Sequence, residues 1–190
     1  MNALEHFFCS SSFWRYFCER KMLPWVLAGN RPGEHVLEIG AGYGAGTRYL
    51  ENSCARVTAL EYDPRSVLRL KRRNNRGLAN VVCGDGTKLP FAAATFTSAT
   101  AMLVLHHLKS EEQQNQMLAE AARVLRPGGV FVGFEILDSR LNRVIHVGST
   151  FTPFAPEGAI RRLTAAGFGN VSMDVRSAAF RFSATKGRVE

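Results

Sequence analysis

The chain has 190 residues, 46% of them hydrophobic and 21% charged, which suits one globular domain, or one domain with a small appendage, burying a sizeable core. Its longest apolar stretch, Ala99 to Leu105, falls far short of the roughly eighteen residues that a membrane-crossing helix needs. The net charge of +8 comes from 24 Lys and Arg against 16 Asp and Glu and is spread thinly, so a dedicated polyanion-binding domain is not indicated.

The first twenty residues interleave their aromatics with Glu5, His6 and Arg15 and hold no secretory core segment, so a cytoplasmic location is expected. The spacing Leu4, Phe7, Phe8, Trp14, Cys18 predicts one or two helices before the first strand. Val36 to Ile39 reads as that strand, followed by a helix from about Gly44 to Asn52. Arg56 to Leu60 is the second strand. Asp63-Pro64 then supplies an N-cap with proline in the first helical position, and the helix it opens runs to about Arg76. Its basic run, Arg65, Arg69, Lys71, Arg72, Arg73 and Arg76, reads first as a solvated face and second as an RNA-contact surface.

Asn80 to Cys83 makes a short third strand and Phe96 to Val104 a fourth. Ser110-Glu-Glu-Gln113 is a capping box for a helix to about Leu125, which Arg126-Pro127-Gly128-Gly129 ends, because the residue before proline resists the helical region. Val130 to Leu137 follows as a fifth strand apolar on both faces, as a central strand is. Pro156 to Ala166 reads as a helix stopped by Gly167, and strands near Val171 to Arg176 and Ala179 to Thr185 close the order. Strands alternating with helices predict an α/β doubly wound parallel sheet with helices on both faces. The stretch from Asp138 to Glu157 reads as a long connection of the kind used for lids or binding elements.

The sequence VLEIGAGYGAGT, residues 36 to 47, packs four glycines between Gly40 and Gly46 directly after the first strand. A glycine turn there lets backbone amides and a positive helix end approach a ligand, and Gly40, Gly42 and Ala45 satisfy the loose dinucleotide pattern. Two acids sharpen the reading. Glu61 ends the second strand, where a carboxylate accepts hydrogen bonds from ribose hydroxyls, and Asp85 ends the third, where an acceptor faces an adenine amino group. All three features fall on the carboxyl edge of one sheet.

VLEIGAGYGAGT, ALEYDP, VVCGDGTKLPF, FTSATAMLVLHHL and EAARVLRPGGVFVGFE together resemble the class I S-adenosylmethionine-dependent methyltransferases, and within them the small-molecule group that includes the quinone-pathway enzymes. The resemblance covers roughly residues 33 to 185. It implies a Rossmann-like, seven-stranded sheet with the last strand antiparallel, a methyltransferase domain over 33–190 and an N-terminal helical arm or lid over 1–32. It also implies S-adenosyl-L-methionine as cofactor and S-adenosyl-L-homocysteine as product. Glu38 would help hold the methionine amino group; Gly40, Ala41, Gly42 and Gly44 would lie under that end; Glu61 with Tyr62 would take the ribose side, and Asp85 with Gly86 the adenine. A loop acid suits a cationic sulfonium and repels a pyrophosphate, which favours a methyl donor over a dinucleotide. The sequence departs from the family by placing Thr97 where an aspartate usually follows the first aromatic of the fourth strand, and by having Leu103 to His106 where base- and glutamine-modifying members carry Asn-Pro-Pro-Tyr.

His106 and His107 follow the fourth strand near where the family holds the methyl group, so either is a candidate general base; His146 is a weaker candidate, and His6 and His35 are expected to be uninvolved. Phe7, Phe8, Phe13, Trp14, Tyr16 and Phe17 of the arm, with Phe151 and Phe154 of the connection, would wall an apolar or aromatic small-molecule acceptor or else pack in the core. The four cysteines, Cys9, Cys18, Cys54 and Cys83, have neither CxxC pairing nor histidines at zinc spacing, so no disulfide and no metal is expected. The competing readings are an RNA or protein methyltransferase, a non-catalytic S-adenosylmethionine-binding protein and, last, an NAD-dependent oxidoreductase.

Overall fold

The computed structural model describes residues 2, 5, 7, 10–30, 32–73 and 79–187; Leu4, His6, Phe8, Cys9 and Arg76 lie outside them. Within these residues the strands are β1 (His35–Ile39), β2 (Arg56–Glu61), β3 (Ala79–Cys83), β4 (Phe96–Met102), β5 (Leu125–Ile136), β6 (Phe168–Val175) and β7 (Ala179–Lys186). They form one sheet in the order β3-β2-β1-β4-β5-β7-β6. β1 pairs parallel with β2 and β4, and β7 pairs antiparallel with both β5 and β6. The expected seven-stranded sheet with a reversed last strand is therefore present. The order turns around between β1 and β4, and that reversal opens the crevice at the carboxyl ends of the strands where doubly wound sheets bind ligands.

The alternation of side chains along the strands splits the core into two faces. Leu37, Ile39 and Leu60 join one buried cluster with Met117, Leu118 and Ala121 of α5 (Glu111–Val124) and Ala159 and Leu163 of α7 (Pro156–Ala165). Val36, Val57 and Val132 face the other way, onto Leu50 of α3 (Ala45–Glu51) and onto the arm. That arm runs as α1 (Ser12–Phe17), a π-helical turn (Cys18–Met22) and α2 (Leu23–Val26), with Cys18, Met22, Leu23 and Val26 buried. α4 (Pro64–Arg73) adds Val67 and Leu70 over Ala59 and Val81.

Several boundaries differ from the sequence expectation. β4 stops at Met102 instead of reaching Val104, because Leu103 takes a left-handed φ of 58° and turns the chain. α5 does not end in a loop: its C-cap residue Leu125 already pairs with Phe96, and the Pro127-Gly128-Gly129 segment is a bulge inside β5, set by Gly128 at φ 79°. The long connection holds a short helix, α6 (Arg140–Ile145), capped by the Ser139 hydroxyl.

The arm aromatics divide. Trp14 packs on the core, while Phe7, Phe13, Tyr16 and Phe17 are 76%, 70%, 63% and 39% exposed, so the core-packing alternative fails for those four. Phe154 goes the other way: it is fully buried among Phe180 and Phe182 and walls no acceptor space.

Candidate cofactor and acceptor site

The glycine loop is shaped by contacts on both sides. Gly40, Gly42 and Gly44 all have positive φ, which a Cβ opposes. A Cβ on Gly40 would overlap Val104, and one on Gly44 would overlap Leu70, so the loop is wedged between the end of β4 and helix α4. Its first amides turn inward: Gly40 N–H and Ala41 N–H both donate to the Leu60 carbonyl, at 2.8 and 3.0 Å. The Gly42 N–H donates to Glu61 Oε2 at 2.8 Å, while Asp63 N–H donates to Oε1 at 2.9 Å. The Glu61 carboxylate is thus fixed by two backbone donors at the tip of β2, half-buried, each oxygen keeping a lone pair for a further donor. Tyr62 beside it is 74% exposed.

Asp85 is half-buried at the turn after β3. Its Oδ1 accepts from the Thr87 N–H and hydroxyl, both at 2.8 Å. That locks the turn. Gly86 lies against Ile39 and Met117, so the loop sits directly over the β1 tip.

Glu38 is the most constrained acid of the rim. It is buried, takes a 2.5 Å hydrogen bond from the Thr47 hydroxyl, and rests where a Cβ on Gly46 would overlap its Oε1. Burial pushes its carboxyl up from 4.5 to about 8, and the neighbouring charges, Glu61 and Glu51, push the same way. A carboxylate in that setting is stabilised by an incoming cation. The ammonium of a methionine moiety fits this chemistry and a pyrophosphate does not. The residues present therefore fit the sulfonium nucleoside that the sequence implies.

Thr97, where the family usually has an acid, lies at the other end of β4 from this rim. Its hydroxyl accepts from His35 N–H at 2.9 Å and donates to the His35 carbonyl at 3.0 Å, latching β4 to the start of β1. The residue at the departure is structural.

After Val104 the chain makes a single 3₁₀ turn, Leu105–His107. One residue that sequence reasoning passed over holds that turn: Glu135, on β5 and fully buried. Its Oε1 accepts from Val104 N–H at 2.9 Å and Leu105 N–H at 2.7 Å, and its Oε2 lies 2.5 Å from His106 Nδ1. A lone acid inside the apolar run VFVGFE was the available signal, since a charge is kept in a buried strand only when it is paired. His106 is buried; His107 is half-buried and depressed to about 3 by burial and by its neighbours His106 and His146. His107 is accordingly a neutral, weakly basic ring. His146, buried after α6, reaches the same spot from the connection, with its ring 5.1 Å from that of His106, and Phe151 packs 4.6 Å from His146. His35 lies elsewhere, against Phe96 and Thr58.

A doubly wound sheet with a reversed last strand, a glycine loop at its crevice and acids on three successive strand tips defines the class I methyltransferase architecture. The chain matches the methyltransferase domain family over residues 37–133 and belongs to it. It is 34% identical over 110 residues to the 24-methylenesterol C-methyltransferase 3 of Arabidopsis thaliana, covering 55% of this chain and 30% of that protein. It is 35% identical over 118 residues to the demethylmenaquinone methyltransferase of Tropheryma whipplei (strain Twist), covering 60% of this chain and 46% of that one. The chain thus spans less than half the length of these relatives. In fold it is similar to the N-methyltransferase NodS of Bradyrhizobium japonicum WM9, solved with S-adenosyl-L-homocysteine, at a TM-score of 0.74 and 22% identity, covering 94% of this chain and 90% of that one.

Proposed function

We propose that the chain is an S-adenosylmethionine-dependent methyltransferase acting on a small, apolar or aromatic acceptor, with S-adenosyl-L-homocysteine as the second product. The observation that carries this reading is the set Glu38, Glu61 and Asp85 at the tips of β1, β2 and β3, around a loop whose glycines no Cβ-bearing residue replaces without strain. Glu38 would take the methionine ammonium above Gly40, Ala41, Gly42 and Gly44. Glu61 would accept from the ribose hydroxyls with Tyr62 alongside, and Asp85 with Gly86 would meet the adenine.

When bound, that cofactor supplies an electrophilic methyl on a sulfonium whose leaving group departs neutral. The chain's task is then to align the acceptor and exclude water. His106 and His107 flank the transfer, His106 with Glu135 behind it; proton removal from an acceptor falls to His106 rather than to the weakly basic His107. Residues 1–32 act as the lid and 33–190 as the methyltransferase domain, in a cytoplasmic setting. The relatives' names support a small, apolar substrate. No helix among the described residues is long and apolar enough to cross a membrane.

Calorimetry with S-adenosyl-L-homocysteine, followed by incubation with labelled donor and a panel of quinone, sterol and fatty-acid acceptors, tests the proposal. Micromolar binding with label in an organic-phase product is expected. No heat at millimolar ligand removes the cofactor site, and binding without transfer to any acceptor moves the chain to the non-catalytic class.

A further inference from the structure

The fold gathers three histidines that the sequence holds apart. His106 and His107 sit on the 3₁₀ turn after β4, and His146 follows α6; one ring nitrogen from each lies within 4.8 Å of the other two. The orientation of two of the rings is set from behind. His106 Nδ1 faces Glu135 at 2.5 Å and His146 Nδ1 faces the Asn142 carbonyl at 2.7 Å. A neutral imidazole that donates one N–H to such an acceptor keeps a lone pair on its other nitrogen. That carboxylate-or-carbonyl backing is the arrangement that orients and strengthens histidine ligands of metal ions. Three ring nitrogens gathered this closely, with His106 and His146 buried, offer a ready donor set for one cation.

A carboxylate stands next to the group. Glu5, buried, places Oε1 at 3.4 Å from His146 Nε2, while its oxygens also accept from Asn2 N–H at 2.7 Å and the Ser149 hydroxyl at 2.5 Å. We propose that His106, His107 and His146, with Glu5 as fourth ligand, bind one divalent first-row transition ion, zinc by preference. Three imidazoles and a carboxylate suit a tetrahedral ion, and the nitrogens need to close to roughly 3.3 Å to reach zinc bond lengths of about 2.0 to 2.1 Å. The ion would staple the N-terminal arm and the connection to the tip of β4. This assignment stands on the histidine geometry and does not depend on the identity of the cofactor; a bound ion takes up the free His106 lone pair, so His106 removes a proton only in the ion-free chain.

The test uses the untagged 190-residue chain, dialysed against chelator and titrated with Zn²⁺ by competition and with Co²⁺ by visible absorption. One equivalent of Co²⁺ with the intense visible bands of a tetrahedral ion is expected, together with a rise in melting temperature on adding Zn²⁺ that chelator reverses. His146→Ala and His107→Ala should each lower Zn²⁺ affinity by at least about tenfold, Glu135→Gln by about tenfold through loss of the His106 backing, and His35→Gln should leave it unchanged. Circular dichroism of each variant checks folding, and Glu135→Gln covers the case in which a histidine variant does not fold. Affinity unchanged in His146→Ala and His107→Ala, or no tetrahedral Co²⁺ spectrum in the parent chain, overturns the site.

Discussion

Glu38 and Glu61 are both rim acids, and each carries its own prediction. Glu61 is held by two backbone donors, so Glu61→Ala should weaken S-adenosyl-L-homocysteine binding by roughly 1 to 3 kcal/mol through unpaired ribose hydroxyls. Unchanged affinity in calorimetry would remove the ribose assignment. Glu38 keeps its proton in the folded chain up to about 8, whereas the unfolded chain releases it near 4.5. The folded state therefore binds more protons across that window, and stability falls as pH rises through it, by at most about 1.4 kcal/mol per pH unit, then levels off above. Glu38→Gln should flatten the slope in urea titrations taken across the same window. An ammonium docking on Glu38 drives its proton off, so binding near neutrality should release a proton, visible as a binding heat that changes with the ionisation enthalpy of the buffer.

At the scale of elements, the rim is rigid because neighbouring elements interlock through positions without side chains. Gly46, in the first turn of α3, lets the Glu38 carboxylate lie against the helix, and Gly46→Ala should displace that carboxylate and lower both melting temperature and ligand affinity. The β4 turn depends on a strand neighbour instead: Glu135→Ala would strip the Val104 and Leu105 amides and His106 of their buried partner, at a cost of roughly 3 to 5 kcal/mol in chemical denaturation. Gly133 on β5 faces the Phe182 ring of β7, where a Cβ would overlap it. Gly133→Ala should therefore weaken the β5–β7 pairing by about 1 to 3 kcal/mol while leaving the distant glycine loop able to bind ligand. The strands, and the helices other than α6, were legible in the chain, since period-two and period-3.6 spacing and local caps such as Ser110 act within a few residues. The exceptions, the early end of β4 at Leu103 and the bulge through Gly128, are set by contacts with neighbouring strands.

Across the whole molecule, the excess positive charge is unconcentrated apart from the outer face of α4, where Arg65, Arg69, Lys71, Arg72 and Arg73 are all exposed. A diffuse charge of this kind gives weak, salt-sensitive attraction to polyanions. Generic RNA should bind measurably only at low ionic strength and be lost near physiological salt; tight binding there would favour the RNA-modifying alternative.

The sequence alone determined the sheet, its reversed last strand through the family resemblance, and the placing of the glycine loop and the acids along one rim, because the glycines and acids of a doubly wound fold sit at fixed offsets from strands that local periodicity marks. The expectation of no metal rested on cysteine spacing and on neighbours in the chain. Only the tertiary structure set His146 and Glu5 beside His106 and His107, buried Phe154 while leaving Phe7, Phe13 and Tyr16 in solvent, and revealed Glu135 behind the histidines. Those decisions depend on which segments meet across the end of the sheet. Contacts between residues far apart in the chain follow from packing and leave no periodic trace in the sequence.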